Sequence, residues 1–425
     1  MSKKGNSSFI AIVTMIFLFG MISFVTNLAA PIGNIWKMQP GIEGSNTWGM
    51  MGNMMNFLAY AVMGIPAGAL LKKKGYKFTA LSALLVGLLG VFVQFLSGKI
   101  GVGASLAGLP ANFFVYLLGA FIAGFSMCML NTVVNPMLKI LGGARSNQYI
   151  QIGGSFNSLM GTLTPMLVGA LIGTLTKDSV IQDVNPMLFL AMGVFAFAFI
   201  VLLFVPIEDP AQTKSAAPAE SPLKYRHFVY GIIAIFLYVG VEVGIPGTLN
   251  FYLADSTNGA GLDPANAVMI AGAIAGFYWL LMLAGRLTSS VISGKVTSRT
   301  QLTCVSAVAL LLMVVAIFLP SSVAIPMTIK GALANVPVSA ILLVLCGLCT
   351  SVMWGTIFDL AVEGLGAATE KASGIFMAMV VGGGIIPLLQ NFVADKAGYM
   401  TSYWVLVASV AFILFFAVSG SKIKK

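Results

Sequence analysis

FVYGIIAIFLYVGVEVGIPGTLNFYLA (Phe228 to Ala254) carries one charge, Glu242, near its middle. About 20 apolar residues suffice for a helix to cross a bilayer, so the stretch predicts a transmembrane helix. A carboxylate at its centre costs roughly 2.5–3.5 kcal/mol on insertion scales. An acid held at that cost marks a group that binds an ion or moves a proton. The competing reading is a structural acid hydrogen-bonded to a neighbouring helix. Gly240, Gly244, Pro246 and Gly247 surround it, and a helix interrupted by Gly and Pro can open backbone groups toward a cavity.

The rest of the chain has the same character. Of 425 residues 58% are hydrophobic and 8% charged, with a mean hydropathy of +0.97. These values exclude an ordinary soluble domain and predict one polytopic, all-α membrane protein. The net charge of +10 resides in short loops, where Lys and Arg report orientation in the membrane, so no nucleic-acid partner is implied. The charged N-terminus resembles a signal peptide, but its apolar stretch runs on to about Trp36, too long for a cleavable core. Cys128, Cys304, Cys346 and Cys349 all fall in apolar runs. The Cys346-Gly-Leu-Cys349 spacing lacks a nearby His or acid, so these read as small buried hydrophobes.

Hydropathy predicts twelve spans near residues 9–36, 48–71, 78–97, 110–138, 148–175, 186–206, 227–254, 264–293, 301–319, 338–364, 371–394 and 401–420. A polar stretch, IEDPAQTKSAAPAESPLKYRH, lies at the midpoint, and its Pro, Ala, Ser and charges suit a flexible linker. The chain therefore divides into a bundle over 1–206, a linker over 207–226 and a second bundle over 227–425. Lys72, Lys73, Lys74, Lys77, Lys139, Arg145, Lys214, Lys224, Arg226, Lys295, Arg299 and the C-terminal lysines crowd alternate loops. By the positive-inside rule the termini and the linker face the cytoplasm. The halves echo each other: LGGARSN (Leu141 to Asn147) corresponds to LGAATEK (Leu365 to Lys371), and Gly161 and Pro165 correspond to Gly384 and Pro387. Parallel repeats of this kind place a substrate near the midplane between the halves.

Charges within spans are few: Glu242, Arg286, Asp359 and, at a helix end, Glu363. Asp359 and Glu363 share a helix face and are expected to pair with Arg286 as an inner gate, or as a permanent structural pair. Amides recur at mid-span: Asn27, Asn131, Gln151, Asn157, Gln390 and Asn391. Amides donate and accept without charge, as sugar hydroxyls require; they also glue helices together. Trp279 and Trp354 could stack on a pyranose or serve as packing residues. There is no phosphate-binding loop, zinc-protease or serine-hydrolase motif, which argues against an ATP-driven pump, an enzyme or a bound cofactor.

GIPAGALLKKKGYK (Gly64 to Lys77), Asn135-Pro136 with LKILGG, SFNSLMG (Ser155 to Gly161), YVGVEVG (Tyr238 to Gly244) and TIFDLAVEGLGAATEKASGIFMAMVVGGGIIP (Thr356 to Pro387) together resemble the major facilitator superfamily. Within it they resemble the fucose permease and glucose/galactose transporter family of sugar–proton symporters. The resemblance implies two six-helix bundles, alternating access and uptake of a monosaccharide driven by an ion gradient. The positions matching the family's acids on helices one and four are Asn27 and Asn131, and a helix-five glutamine is replaced by Gly154. The helix-seven glutamate is kept as Glu242, so proton coupling is expected to rest there. The substrate contacts are expected at Asn27, Asn131, Gln151, Asn157, Trp279, Trp354 and Asn391. The expected function is a monomeric hexose–proton symporter. Sodium coupling or passive transport is the alternative, and a membrane sugar sensor the remote one.

Overall fold

The computed structural model describes residues 3–142, 146–172, 179–207, 221–292, 296–365 and 368–423. Apolar sequence forms helices because lipid offers the backbone no partners, so each N–H and C=O must be satisfied within the segment. The spans are α1 (Phe9–Trp36), α2 and α3 (within Met51–Leu96), α4 (Ala111–Gly142), α5 (Ser146–Ile172), α6 (Asn185–Phe204), α7 (Arg226–Ala254), α8 (Ala267–Ile292), α9 (Ser298–Phe318), α10 (Val338–Val362), α11 (Gly374–Ala397) and α12 (Tyr399–Gly420). Met51–Leu96 is continuous over 46 residues, about 69 Å at the helical rise, more than twice the roughly 30 Å of a hydrocarbon core. Gly75 divides it at φ 83° and ψ 175°, a conformation that suits glycine. The expected twelve spans follow, α2 ending and α3 beginning at this residue, in two six-helix bundles. The polar stretch over 208–220 lies outside the described residues.

Several helices are interrupted at depth. α1 is broken between Thr26 and Ala29, where the Asn27 amide donates to the Ser23 carbonyl at 2.9 Å. α10 is broken between Thr350 and Met353, and α11 passes through a 3₁₀ turn at Met379–Val381. α5, α7 and α11 carry Pro165, Pro246 and Pro387 inside the helix. On the side opposite the chain termini, hereafter the far side, α3 and α4 are joined through a short hairpin of β1 (Ser105–Leu106) and β2 (Leu109–Pro110). α9 and α10 are joined there by β3 (Ala324–Ile329) and β4 (Ala332–Pro337), turning on Lys330 and Gly331, both at positive φ. The two hairpins occupy equivalent places in the halves, a structural counterpart of the repeat.

Close backbone approach holds the bundles together, since lipid gives no hydrophobic force between helices. A side chain at Gly382 would collide with the Phe236 carbonyl where α11 crosses α7. Gly382→Val is therefore expected to destabilise the fold by about 1–3 kcal/mol or more, read as a lower melting temperature of the purified protein than for Gly374→Val, a position with open space around it. Cys128, Cys346 and Cys349 are buried free thiols, in agreement with their reading as small hydrophobes, whereas Cys304 is exposed on the surface of α9.

Candidate functional site

Where the two bundles meet, a narrow cleft is walled by Thr26, Asn27, Ala30 and Pro31 of α1, Asn53 of α2 and Pro165 of α5 on one side. Val243, Pro246, Gly247 and Asn250 of α7, with Ala275 and Trp279 of α8, face them. Its cavity volume is about 30 Å³, far below the roughly 300–1,000 Å³ of small-molecule sites, so in this conformation the walls are closed together and must part to admit a solute. The lining holds three amides and an indole and no charged side chain. The chain break at Asn27 places that amide on the wall. Trp279 lies against Gly161, where any larger residue would strike the indole and the Ser23 hydroxyl.

The amides are already engaged. Asn53 donates to the Gly383 carbonyl at 2.8 Å, reaching from α2 to α11. Asn250 accepts from Asn34 at 2.6 Å, joining α7 to α1. Both bonds run between bundles, so the polar lining of the cleft also ties its walls.

The structure brings two of the seven expected sugar contacts, Asn27 and Trp279, into the cleft lining. Asn131 instead donates to the Tyr60 hydroxyl at 2.8 Å, and Asn157 to the Phe19 carbonyl at 2.9 Å. Asn391 is wholly buried between α7 and α11, donating to Thr248 Oγ1 at 3.0 Å and the Pro387 carbonyl at 2.8 Å. Trp354 packs edge-on against Tyr238 and Phe376, bracing the helix that carries Glu242. These four act here as helix-to-helix and packing groups; the side chain of Gln151 lies outside the described residues. Asn53 and Asn250 were missed. Asn250 follows Glu242 and Pro246 at four-residue steps, which places all three along one face of α7, and that spacing was a readable signal.

The charged residues assemble differently from the expected gate. Arg286 pairs with Glu242, Nη2 to Oε1 at 3.4 Å, with the side chains 16% and 13% exposed. Its Nη1 donates to the Gly154 carbonyl at 2.8 Å and to Ser158 Oγ at 3.0 Å, both on α5 of the other bundle. Asp359 accepts from Ser298 at 2.6 Å instead. The Glu363 side chain is exposed at the end of α10, where its carbonyl meets the His227 ring at 2.9 Å. The reason is directional: helical side chains lean toward the helix N-terminus, so Arg286 reaches back along α8 toward the membrane centre and Glu242. The arrangement holds a carboxylate against a cation that spans the seam, one residue along α7 from cleft-lining Val243.

Residues 10–387 match the family model described as Major Facilitator Superfamily. The chain belongs to the major facilitator superfamily. Among its relatives, a glucose/galactose transporter of Brucella abortus is 28% identical over 430 residues, covering 99% of this chain and 95% of the relative. The L-fucose-proton symporter of Escherichia coli is 24% identical over 374 residues, covering 80% and 77%. A crystal structure of the E. coli fucose:proton symporter superposes with a TM-score of 0.67 at 20% identity, over 98% of this chain and all of the other. That likeness shows the fold. In a major facilitator the cleft between halves is the expected place for a substrate, and the chain is a membrane transporter, not an enzyme.

Proposed function

We propose that this major facilitator imports a neutral monosaccharide, a hexose or a close relative, across a bacterial inner membrane with its termini on the cytoplasmic side, and that it does so by proton symport through Glu242. The observation that carries the reading is the cleft between the bundles, lined by Asn27, Asn53, Asn250 and Trp279 without a charge, beside a Glu242–Arg286 pair that reaches the other bundle. Amides match hydroxyl groups in either polarity, and the indole offers a flat apolar face to a sugar ring. An uncharged lining disfavours anions and cations, which would be desolvated without compensation. The glucose/galactose and fucose relatives support the same solute class.

The coupling follows from the shared guanidinium. Ionised Glu242 orients Arg286 toward α5, where it holds the Gly154 carbonyl and the Ser158 hydroxyl. A proton on Glu242 removes the charge that orients it, the bridge across the seam loosens, and the loaded carrier is free to rock. An equilibrium shifts only by the difference in a ligand's interaction with its two states, and the loss of this ion pair is that difference.

The test is uptake and counterflow of labelled glucose, galactose, fucose, fructose and N-acetylglucosamine in proteoliposomes, with and without an imposed proton gradient. Gradient-stimulated uptake of one sugar is expected. Stimulation by sodium alone, or exchange without stimulation, overturns the proton step, and silence across the panel overturns the sugar. Trp279→Ala is expected to raise the half-saturating sugar concentration on the order of tenfold, equivalent to about 1.4 kcal/mol, with exchange at saturation largely kept.

A further inference from the structure

The far-side ends of the bundles meet in a second cluster of charges that plays no part in the cleft. Asp395, near the end of α11, accepts four hydrogen bonds from the segment that leads into α2: from the Asn46 amide at 2.7 Å, the Thr47 amide at 2.9 Å, Thr47 Oγ1 at 2.6 Å and Ser45 Oγ at 3.0 Å. Asn46 and Thr47 open the helical turn Asn46–Gly49, so a carboxylate from one bundle satisfies the free N–H groups of a turn in the other. Lys37, just beyond α1, is 6% exposed. Its Nζ donates to Asn46 Oδ1 and, at 3.1 Å, to the Tyr399 hydroxyl of α12, and sits 4.6 Å from the centre of the Phe251 ring of α7. Tyr399 in turn donates to Asp255 at 3.0 Å. Close packing of Gly272 on α8 against the Pro165 carbonyl of α5 adds a second contact between the halves.

We propose that Asp395 forms a latch that clamps the far-side ends of the two bundles together and must part each time the carrier opens to that side, with the buried Lys37 beside it setting how firmly it holds. The role rests on the transport reading above; the geometry does not. Charge-assisted hydrogen bonds are roughly twice as strong as neutral ones, and here they concentrate where rocking bundles separate most. Asn46, Asp255, Asp395 and Tyr399 also line an open cleft on the far side, so water is at hand to replace the bonds as they break.

The latch also senses pH. Burial, opposed by Asp255 and Asp395, lowers the Lys37 ammonium to about 8, whereas an ammonium freed into water titrates near 10.4. The closed latch thus sheds the proton first. Below pH 8 Lys37 is charged in both states and its buried charge opposes closure, and as pH rises above 8 that opposition is lost and closure gains. Asp255, Asp395 and Tyr399 are the titratable groups that face it, with Glu43 and Lys396 further along the cleft.

The experiment is a distance measurement, which is independent of the sugar. Spin labels at Ser105→Cys and Leu333→Cys, on the far-side hairpins of the two halves, are placed in a Cys304→Ser background that removes the exposed native thiol. The otherwise unaltered protein should show mainly the short, closed distance. Asp395→Ala should lower the closed-to-open ratio tenfold or more, and Tyr399→Phe, which keeps the ring, should lower it less. An unchanged ratio in Asp395→Ala, or in Tyr399→Phe should the first variant fail to fold, overturns the latch. Between pH 7 and 9.5 the ratio should rise on the order of tenfold; a flat or falling ratio removes Lys37 from it. Loss of sugar transport with the distances behaving as stated would defeat the sugar reading and leave the latch standing.

Discussion

Glu242→Gln is expected to abolish gradient-driven accumulation of sugar while leaving counterflow. One elementary charge crossing 100 mV carries about 2.3 kcal/mol, enough for roughly 50-fold accumulation when a single proton moves with each sugar. The glutamine keeps the size and one carbonyl acceptor for Arg286 Nη2 but binds no proton, so the inside-to-outside ratio should collapse to about one. Steady-state accumulation in proteoliposomes at a fixed gradient measures it, with counterflow in the same preparation as the control for folding and binding. Continued accumulation by Glu242→Gln would remove this residue from the coupling step. Loss of both activities would instead mark it as part of the binding or folding machinery.

Arg286→Met should be the most damaging change to the seam. It strips Glu242 of its cation and takes the donors away from the Gly154 carbonyl and Ser158. Removing one member of a buried pair costs about 3–5 kcal/mol, because the remaining charge is left desolvated. The double variant Arg286→Met with Glu242→Gln carries no such orphan and should regain much of that loss. Thermal unfolding of the wild type, the two single variants and the double variant closes the cycle. A double-variant loss equal to the sum of the two single losses would show that the pair contributes no coupling energy and that Arg286 acts through α5 alone.

Much of the architecture was legible in the sequence because lipid leaves the backbone few choices. An apolar run such as Phe228 to Ala254 can only be a helix, and its length fixes one crossing. The same rule assigned the long apolar region between 48 and 97 to two spans, and the left-handed turn at Gly75 shows how a continuous helical trace becomes two. Repeat matching placed Pro165 and Pro387 at equivalent depths before any contact was known. Family membership followed from segments spread over most of the chain.

The contacts of the site were far less legible. Hydropathy reports depth along a helix, not which neighbour a residue meets, so amides at one depth were indistinguishable from each other. Asn131, Asn157 and Asn391 lie inside helix-to-helix bonds, whereas Asn27, Asn53 and Asn250 line the cleft. Arg286 and Asp359 lie at similar depth, which suggested a pair, yet rotation of α8 and α10 gives the first to Glu242 and the second to Ser298. Nothing local singles out Lys37; only the fold brings Tyr399, more than three hundred residues away, to its Nζ.

The sequence by itself determined a membrane protein of twelve helices in two related halves, and one acid held in a span at a cost, because both follow from the free energy of moving single groups between water and lipid. The tertiary structure alone decided which amides face the cleft, that Arg286 answers Glu242, and that Asp395 and Lys37 meet groups of the opposite bundle at the far side. Those are matters of helix rotation and pairing between distant segments, set by packing over the whole molecule and invisible to any local pattern.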